Sequence, residues 1–373
     1  MKQSLLFSPF ELKGLALKNR ITMAPLFLSY ANPDGTASEL IIDYYREMAA
    51  SGAAMIVTEN VAIDPSGIGS PFTLRADDDR FITDLAKISK AIHQEGAIAI
   101  CQLNHAGRYA HAAQQRYAPS PVKTGELLPK EMNREEIETI IKSYADAAAR
   151  VKEAEFDGVE LHGGTGYLLV QFLSQRTNLR KDDYGGPLGN RMKFPLRVVE
   201  AVIKNVANYP VGYRFLADEW LPEGLHTDQT SLYAKELAIR GVAYLSVMAG
   251  TYDSFFLPTY KQKEKEEAYM AHFARRIKET VPELPVIAAG RIQTPETAEN
   301  ILREGTADLI GLARVLFADP LWPKKAAGKI DKPIIKCLPT CNLCMELVMK
   351  GKPAFCAHWD KKKREQFISI HGK

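Results

Sequence analysis

The sequence predicts an α/β fold, a (β/α)8 TIM barrel with a short cysteine-bearing C-terminal extension. Three observations point there. Short apolar runs alternate with longer amphipathic segments, and the alternation counts to eight. The runs are apolar throughout rather than at every second residue, as parallel strands covered on both faces require. No G-x-G-x-x-G follows any of them, which weakens the doubly wound open sheet as the alternative.

A hairpin-like start over 7–17, turning near Gly14, precedes the first strand at 21–24. Residues 38–50 have helical spacing with Ser38 placed as N-cap, and the second strand follows at 54–58. The next helix falls within 79–95, stopped by Gly96. The third strand is 97–102, after which a long polar loop leads to a helix over 133–155. The fourth, 158–161, has a long connection too, with a loop around 182–186 and a helix near 191–206. The fifth is 211–215 with a helix over 228–240, and the sixth 243–247 with a helix over 266–280. The seventh is 285–288, its helix 295–303 ending at Gly305. The eighth, 308–311, leads into helical turns up to Ala327. The barrel is thus expected over 1–328 and the extension over 329–373.

Apolar residues make up 46% and charged residues 25% of 373, ordinary globular usage that can form a sizeable core. The 48 lysines and arginines barely exceed 45 acids, too slight a surplus for a nucleic-acid surface. No apolar run approaches the ~18–20 residues of a membrane span, and the first ten residues lack the apolar stretch of a signal peptide. A cytoplasmic chain is expected, with no nucleic-acid or membrane partner. Five cysteines are few for a disulfide framework, yet four lie between 337 and 356. That crowding suggests a metal site in a reducing compartment.

Barrel chemistry gathers at the C-terminal ends of the strands. Gly290-Arg291 and Ala313-Arg314 end strands seven and eight, where small residues and backbone N–H groups bind phosphate. Gln102 offers a donor and an acceptor at one strand end, and Arg214 a fixed cationic fork at another. A heterocycle with a carbonyl-imide edge suits that pair; a satisfied polar barrel interior is the bland alternative. In 162–168, three glycines let the backbone run close to a ligand, and His162 and Tyr167 each bring a polar hydrogen. A tyrosine keeps its proton at neutral pH and can act as a general acid.

Over about 5–328 the chain resembles the old yellow enzyme family of FMN-dependent ene-reductases. The matching stretches include 17–21 with Met23-Ala24-Pro25, 102–108, 156–162 continuing through 166–168 to 171–174, and 182–186. Thr177-Asn178, Asn190-Arg191 and Ala318-Asp319-Pro320 match as well. The resemblance implies FMN, with Gln102 on the flavin pyrimidine edge and Arg214 near N1 and the C2 carbonyl. It places Ala24, Pro25, Leu26 and Phe27 along the ring near N5, with Asn60 close by, and Gly290, Arg291, Ala313 and Arg314 on the phosphate. Tyr167 matches the proton donor and His162 one of two substrate-carbonyl binders. The implied reaction passes hydride from flavin N5 to the β-carbon of an electron-poor alkene, after reduction by NADH, NADPH or an electron-donor protein.

Three positions depart from the family pattern. Thr165 stands where the second carbonyl binder is usually His or Asn, and Phe27 replaces a Thr or Cys common beside the flavin C4 carbonyl. Asn60 stands where Gly or Ala is usual. These departures put simple enones in question as substrates.

Cys337-x3-Cys341-x2-Cys344-x11-Cys356 suits an iron–sulfur cluster or tetrahedral zinc. The arrangement resembles the branch of 2,4-dienoyl-CoA reductase and trimethylamine dehydrogenase, which carries a [4Fe–4S] cluster there. The second cysteine is displaced by one residue from that branch's usual spacing. Two further functions stay open: an amine dehydrogenase or demethylase, and a relay passing electrons between flavin and cluster. Residues 360–364 read as a solvated basic tail and 261–267 as a helix start in an exposed loop. Tyr252, Phe255, Phe256 and Tyr260 fit a lid over an apolar substrate or an interface patch, so a homo-oligomer is an open possibility. Cys101 is expected inside strand three.

Overall fold

The computed structural model describes residues 4–371; residues 1–3 and 372–373, the outer ends of the two expected segments, lie outside that range. Eight parallel strands close into a barrel: β1 (Ile21–Met23), β2 (Met55–Ala62), β3 (Ile98–Asn104), β4 (Gly158–Gly163), β5 (Val211–Leu216), β6 (Leu245–Met248), β7 (Val286–Ala288) and β8 (Leu309–Leu312). Each pairs with the next in chain order and β8 returns to β1. The helices that follow them are α1 (Glu39–Ala50), α2 (Ile82–Gln94), α3 (Arg134–Glu153), α4 (Leu188–Val206), α5 (Thr227–Ile239), α6 (Ala271–Thr280), α7 (Pro295–Arg303) and α8 (Arg314–Ala318). Ser38 caps α1 by accepting from the Ile41 N–H, and Asn133 with Glu136 forms a capping box on α3, each satisfying N–H groups that the helix leaves open.

The hairpin pairs Phe10–Leu12 with Leu15–Leu17. Its Leu12 and Leu17 are buried against Met55, Ile100, Ile287 and Leu309. These lie towards the starts of their strands, so the hairpin closes the N-terminal end of the barrel. Ligand chemistry is left to the other end.

Several boundaries differ from the sequence reading, two of them by more than a few residues' fraying. β2 runs on through Glu59 and Asn60, because a register shift against β3 between Val57 and Asn60 lets the strand continue beyond its apolar run. The helix expected from 266 begins at Ala271, and Pro258–Lys263 forms a separate short helix with proline in its first turn, where the missing N–H costs nothing. Glu267 is exposed, as expected, and accepts from the backbone N–H groups of Gln293 and Thr294 at 3.0 and 2.8 Å.

The segment after α8 wraps back onto the barrel. Ala354 N donates to Leu28 O at 3.0 Å, and Trp359 Nε1 donates to Phe317 O at 2.8 Å. Ala354, Cys356 and Trp359 belong to the same buried cluster as the barrel. The basic residues 361–364 are not a free tail: they open the helix Lys361–His371, and Lys363 pairs with Glu47 and lies over the Trp359 ring. Among the described residues no helix is long and apolar enough to cross a membrane.

Candidate active site

A cavity of about 160 Å³ opens where β1, β5, β6, β7 and β8 end, and its walls bring together Ala24, Arg214, Gly290, Arg291, Ala313 and Arg314. Gly290 has φ +104°, and a Cβ there would meet the Met270 side chain at 2.9 Å; glycine keeps this wall open. Arg291 follows at φ +54°. Its Nη1 donates to the Cys337 carbonyl at 2.9 Å, while Nε and Nη2 are buried without a partner. Unmet guanidinium donors are costly unless an anion meets them. Burial, and then the neighbouring Arg314 charge, pushes the Arg291 pKa down. A bound phosphate would relieve both penalties.

Across β3, β4, β5 and β6 the inner wall carries a row of polar groups. Gln102 and Glu160 are in register, as are His162 and Arg214, and Arg214 and Ser246. Gln102 Nε2 donates to Glu160 Oε1 at 2.8 Å, which leaves the Gln102 carbonyl free as an acceptor. Arg214 Nη1 donates to Ser246 Oγ at 2.7 Å. Burial lowers the Arg214 pKa, but an arginine remains a cation. These groups match a flat ligand with an imide edge: one acceptor, one cation, and an anion site beyond.

His162 and Tyr167 stand beside this row. Burial, then the Arg214 charge, pushes the His162 pKa down to about 3, so the ring is neutral. Its Nδ1 accepts from the Gly164 N–H at 3.3 Å. The single ring proton therefore sits on Nε2 as a donor. Tyr167 packs edge-on to His162 at 4.9 Å between centroids. Its hydroxyl lies 2.8 Å from that of Tyr252, and burial followed by Tyr252 raises its pKa well above the ordinary value. Thr165, at φ +60°, donates through Oγ1 to Met248 Sδ at 3.7 Å, and Met248 lines the cavity. Gly164 makes that approach possible, since a Cβ there would lie 2.5 Å from the same sulfur.

The remaining expected site residues are placed less centrally. Pro25, Leu26 and Phe27 are half-buried on the segment leaving β1, anchored where Glu59 Oε2 accepts from Leu28 N at 3.3 Å. Asn60 pairs in register with Gln102 from within β2. Cys337, Cys341 and Cys344 are half-buried, Cys356 is buried, and all are free thiols. Cys337 lines the cavity. Among the described residues no group of three or more histidine, cysteine or acidic side chains is drawn together for a metal ion.

Sequence reasoning passed over Glu160 and Tyr252 as site residues. Glu160 stood inside a matching stretch, two residues before His162, on the same face of its strand. Tyr252 stood in the aromatic group after strand six, which reads as lid or interface; in the structure it is the hydroxyl partner of Tyr167. The same group supplies Phe255 and Tyr260 to the cavity wall, while Phe256 is exposed.

A sequence profile of the family described as NADH:flavin oxidoreductase / NADH oxidase matches residues 5–332. An NADH oxidase of Thermoanaerobacter brockii is 41% identical over 347 residues, covering 91% of this chain and 53% of the relative. The chain spans about half the length of the curated relatives it matches. Among solved structures, a 2-naphthoyl-CoA reductase complex superposes with a TM-score of 0.90 at 27% identity, over 97% of this chain and 58% of that one. Morphinone reductase in complex with tetrahydroNAD superposes with a TM-score of 0.75 at 29% identity, over 88% of this chain and 91% of that one.

Proposed function

This chain belongs to the NADH:flavin oxidoreductase / NADH oxidase family, and from that premise we propose that it is an FMN-dependent reductase of electron-poor, carbonyl-conjugated alkenes. One observation carries the reading: a neutral histidine donor and a protonated tyrosine stand together beside a cleft that has an imide-edge acceptor, a buried cation and unmet arginine donors. FMN, when bound, supplies hydride to the alkene β-carbon. Gln102 and Arg214 would hold its pyrimidine edge, and Arg291 and Arg314, with the backbone at Gly290 and Ala313, its phosphate.

His162 Nε2–H polarises the substrate carbonyl, and the Tyr167 hydroxyl delivers a proton to the α-carbon. A protonated tyrosine has a proton to give, the direction alkene reduction needs. The nicotinamide class of the donor, or a protein in its place, belongs to this proposal, as does a [4Fe–4S] cluster on Cys337, Cys341, Cys344 and Cys356, with zinc as the alternative. The donor set is purely thiol, the chemistry that either metal centre takes, and Cys337 lines the cleft, although among the described residues the four thiols are not drawn together.

The test separates the two half-reactions by anaerobic stopped-flow. Tyr167→Phe is expected to slow alkene reduction by about 10²–10⁴-fold, the range for a positioned general acid, while flavin reduction by the nicotinamide keeps its rate. Wild-type rates in both halves would remove Tyr167 from the mechanism. Protein purified without flavin absorbance, and taking up none, would remove the function itself.

A further inference from the structure

Glu160 is a buried acid that the proposed chemistry does not use. It is 0% exposed, with Oε1 accepting from Gln102 and the Tyr244 hydroxyl beside the carboxylate. Two charged or titratable groups act on it from neighbouring strands. Burial raises its pKa, and Arg214 on β5, with the hydrogen bonds from Gln102 and Tyr244, acts the other way and favours its anion. Tyr244, just ahead of β6, has a buried hydroxyl beside the Glu160 carboxylate, and burial, then the Glu160 charge and hydrogen bond, hold its proton. Glu160 therefore sits between the acceptor and the cation that the pyrimidine edge of the cofactor would meet.

Resting on that reading of the cleft, we infer that Glu160 is a positioning residue that sets the electron affinity of the cofactor through Gln102 and Arg214. A carboxylate has no hydrogen to donate. By accepting from Gln102 Nε2 it holds the amide with its carbonyl towards the cleft, where it can accept an imide N–H. Its negative charge also offsets part of the Arg214 charge, which at low local dielectric acts strongly on any change of charge nearby. Reduction adds electron density beside Arg214, so the acid restrains how far the protein favours the reduced cofactor.

The experiment uses holoprotein and two substitutions. Glu160→Gln keeps the shape and removes the charge. It is expected to bind reduced over oxidised FMN about tenfold more selectively than wild type, a rise of about 30 mV in the two-electron potential. Glu160→Asp keeps the charge but withdraws it from Gln102, and is expected to weaken binding of oxidised FMN about tenfold, measured by titrating apoprotein. The second variant reads the inference independently if the first does not fold. Wild-type potential in Glu160→Gln, or wild-type FMN affinity in Glu160→Asp, overturns it. A wild-type apoprotein that takes up no FMN overturns instead the assignment of the cleft on which it rests.

Discussion

His105 and His162 both leave strand ends, and burial strips both of charge, yet only one is free to act. His105 Nδ1 accepts from Gly107 N at 3.0 Å, so its proton is on Nε2, pointing at Ser66 Oγ 3.0 Å away. That serine donates to Asp64, so the chain of hydrogen bonds runs from His105 into a carboxylate and activates no nucleophile. His162 makes no such hydrogen bond through Nε2 and lies in register with Arg214 of the cavity wall. Sequence alone distinguishes them poorly, because each is a histidine after an apolar strand. The same limit hid Glu160, whose role comes from the strand register that sets it against Gln102. Gln102 and Arg214 were legible because a single strand-end position already puts them at the mouth. Burial pushes the His105 pKa down to about 4, below its unfolded value near ~6.5. The unfolded chain then binds the proton first, so stability falls as pH drops from ~6.5 to 4, by about 1.4 kcal/mol per unit for this group. Above ~6.5 the effect is absent. His105→Gln is expected to flatten this part of the denaturation free energy between those pH values; an unchanged slope relative to wild type would show that His105 is not buried neutral.

At the scale of elements, the eight strands were legible because each is a continuous apolar run, and their helices because caps and glycines punctuate them. Continuations were not. β2 extends through polar Glu59 and Asn60 because its irregular pairing with β3 carries the ladder past them, burying Glu59 and half-burying Asn60, a tertiary effect that no local pattern encodes. Helix Lys361–His371 has no buried residue, so it offers no apolar stripe to read and is fixed by contacts such as Lys363 with Glu47. The hairpin is the opposite case, small but buried. Leu12 is 0% exposed against strand starts, and Leu12→Ala should cost about 2–5 kcal/mol of stability by chemical denaturation. Because this end of the barrel is remote from the cleft, FMN affinity should stay at the wild-type value. A loss of FMN binding in folded Leu12→Ala would mean that the two ends are coupled.

For the molecule as a whole, the question is how closely the cysteine segment depends on the barrel. Its apolar residues divide into two groups. Ala354, Cys356 and Trp359 are sunk into the shared core, whereas Cys341 is half-buried and takes no part in that cluster. The tail thus stays docked through Trp359, whose indole packs on Phe317 at 5.1 Å, independently of what the thiols hold. Metal content and fold stability are therefore separable. Anaerobically purified protein is expected to contain iron with acid-labile sulfide, about four of each per chain if the cluster is the [4Fe–4S] type. Cys341→Ser should remove most of that iron while the thermal midpoint of the barrel barely moves. Trp359→Ala should do the reverse to the fold, costing about 3–5 kcal/mol and releasing the segment that carries the thiols, so iron is lost along with stability. Zinc in place of iron would turn the centre into a structural clasp. An intact iron content in Cys341→Ser would exclude that thiol as a ligand, leaving Cys337, Cys344 and Cys356 to bind with some other donor.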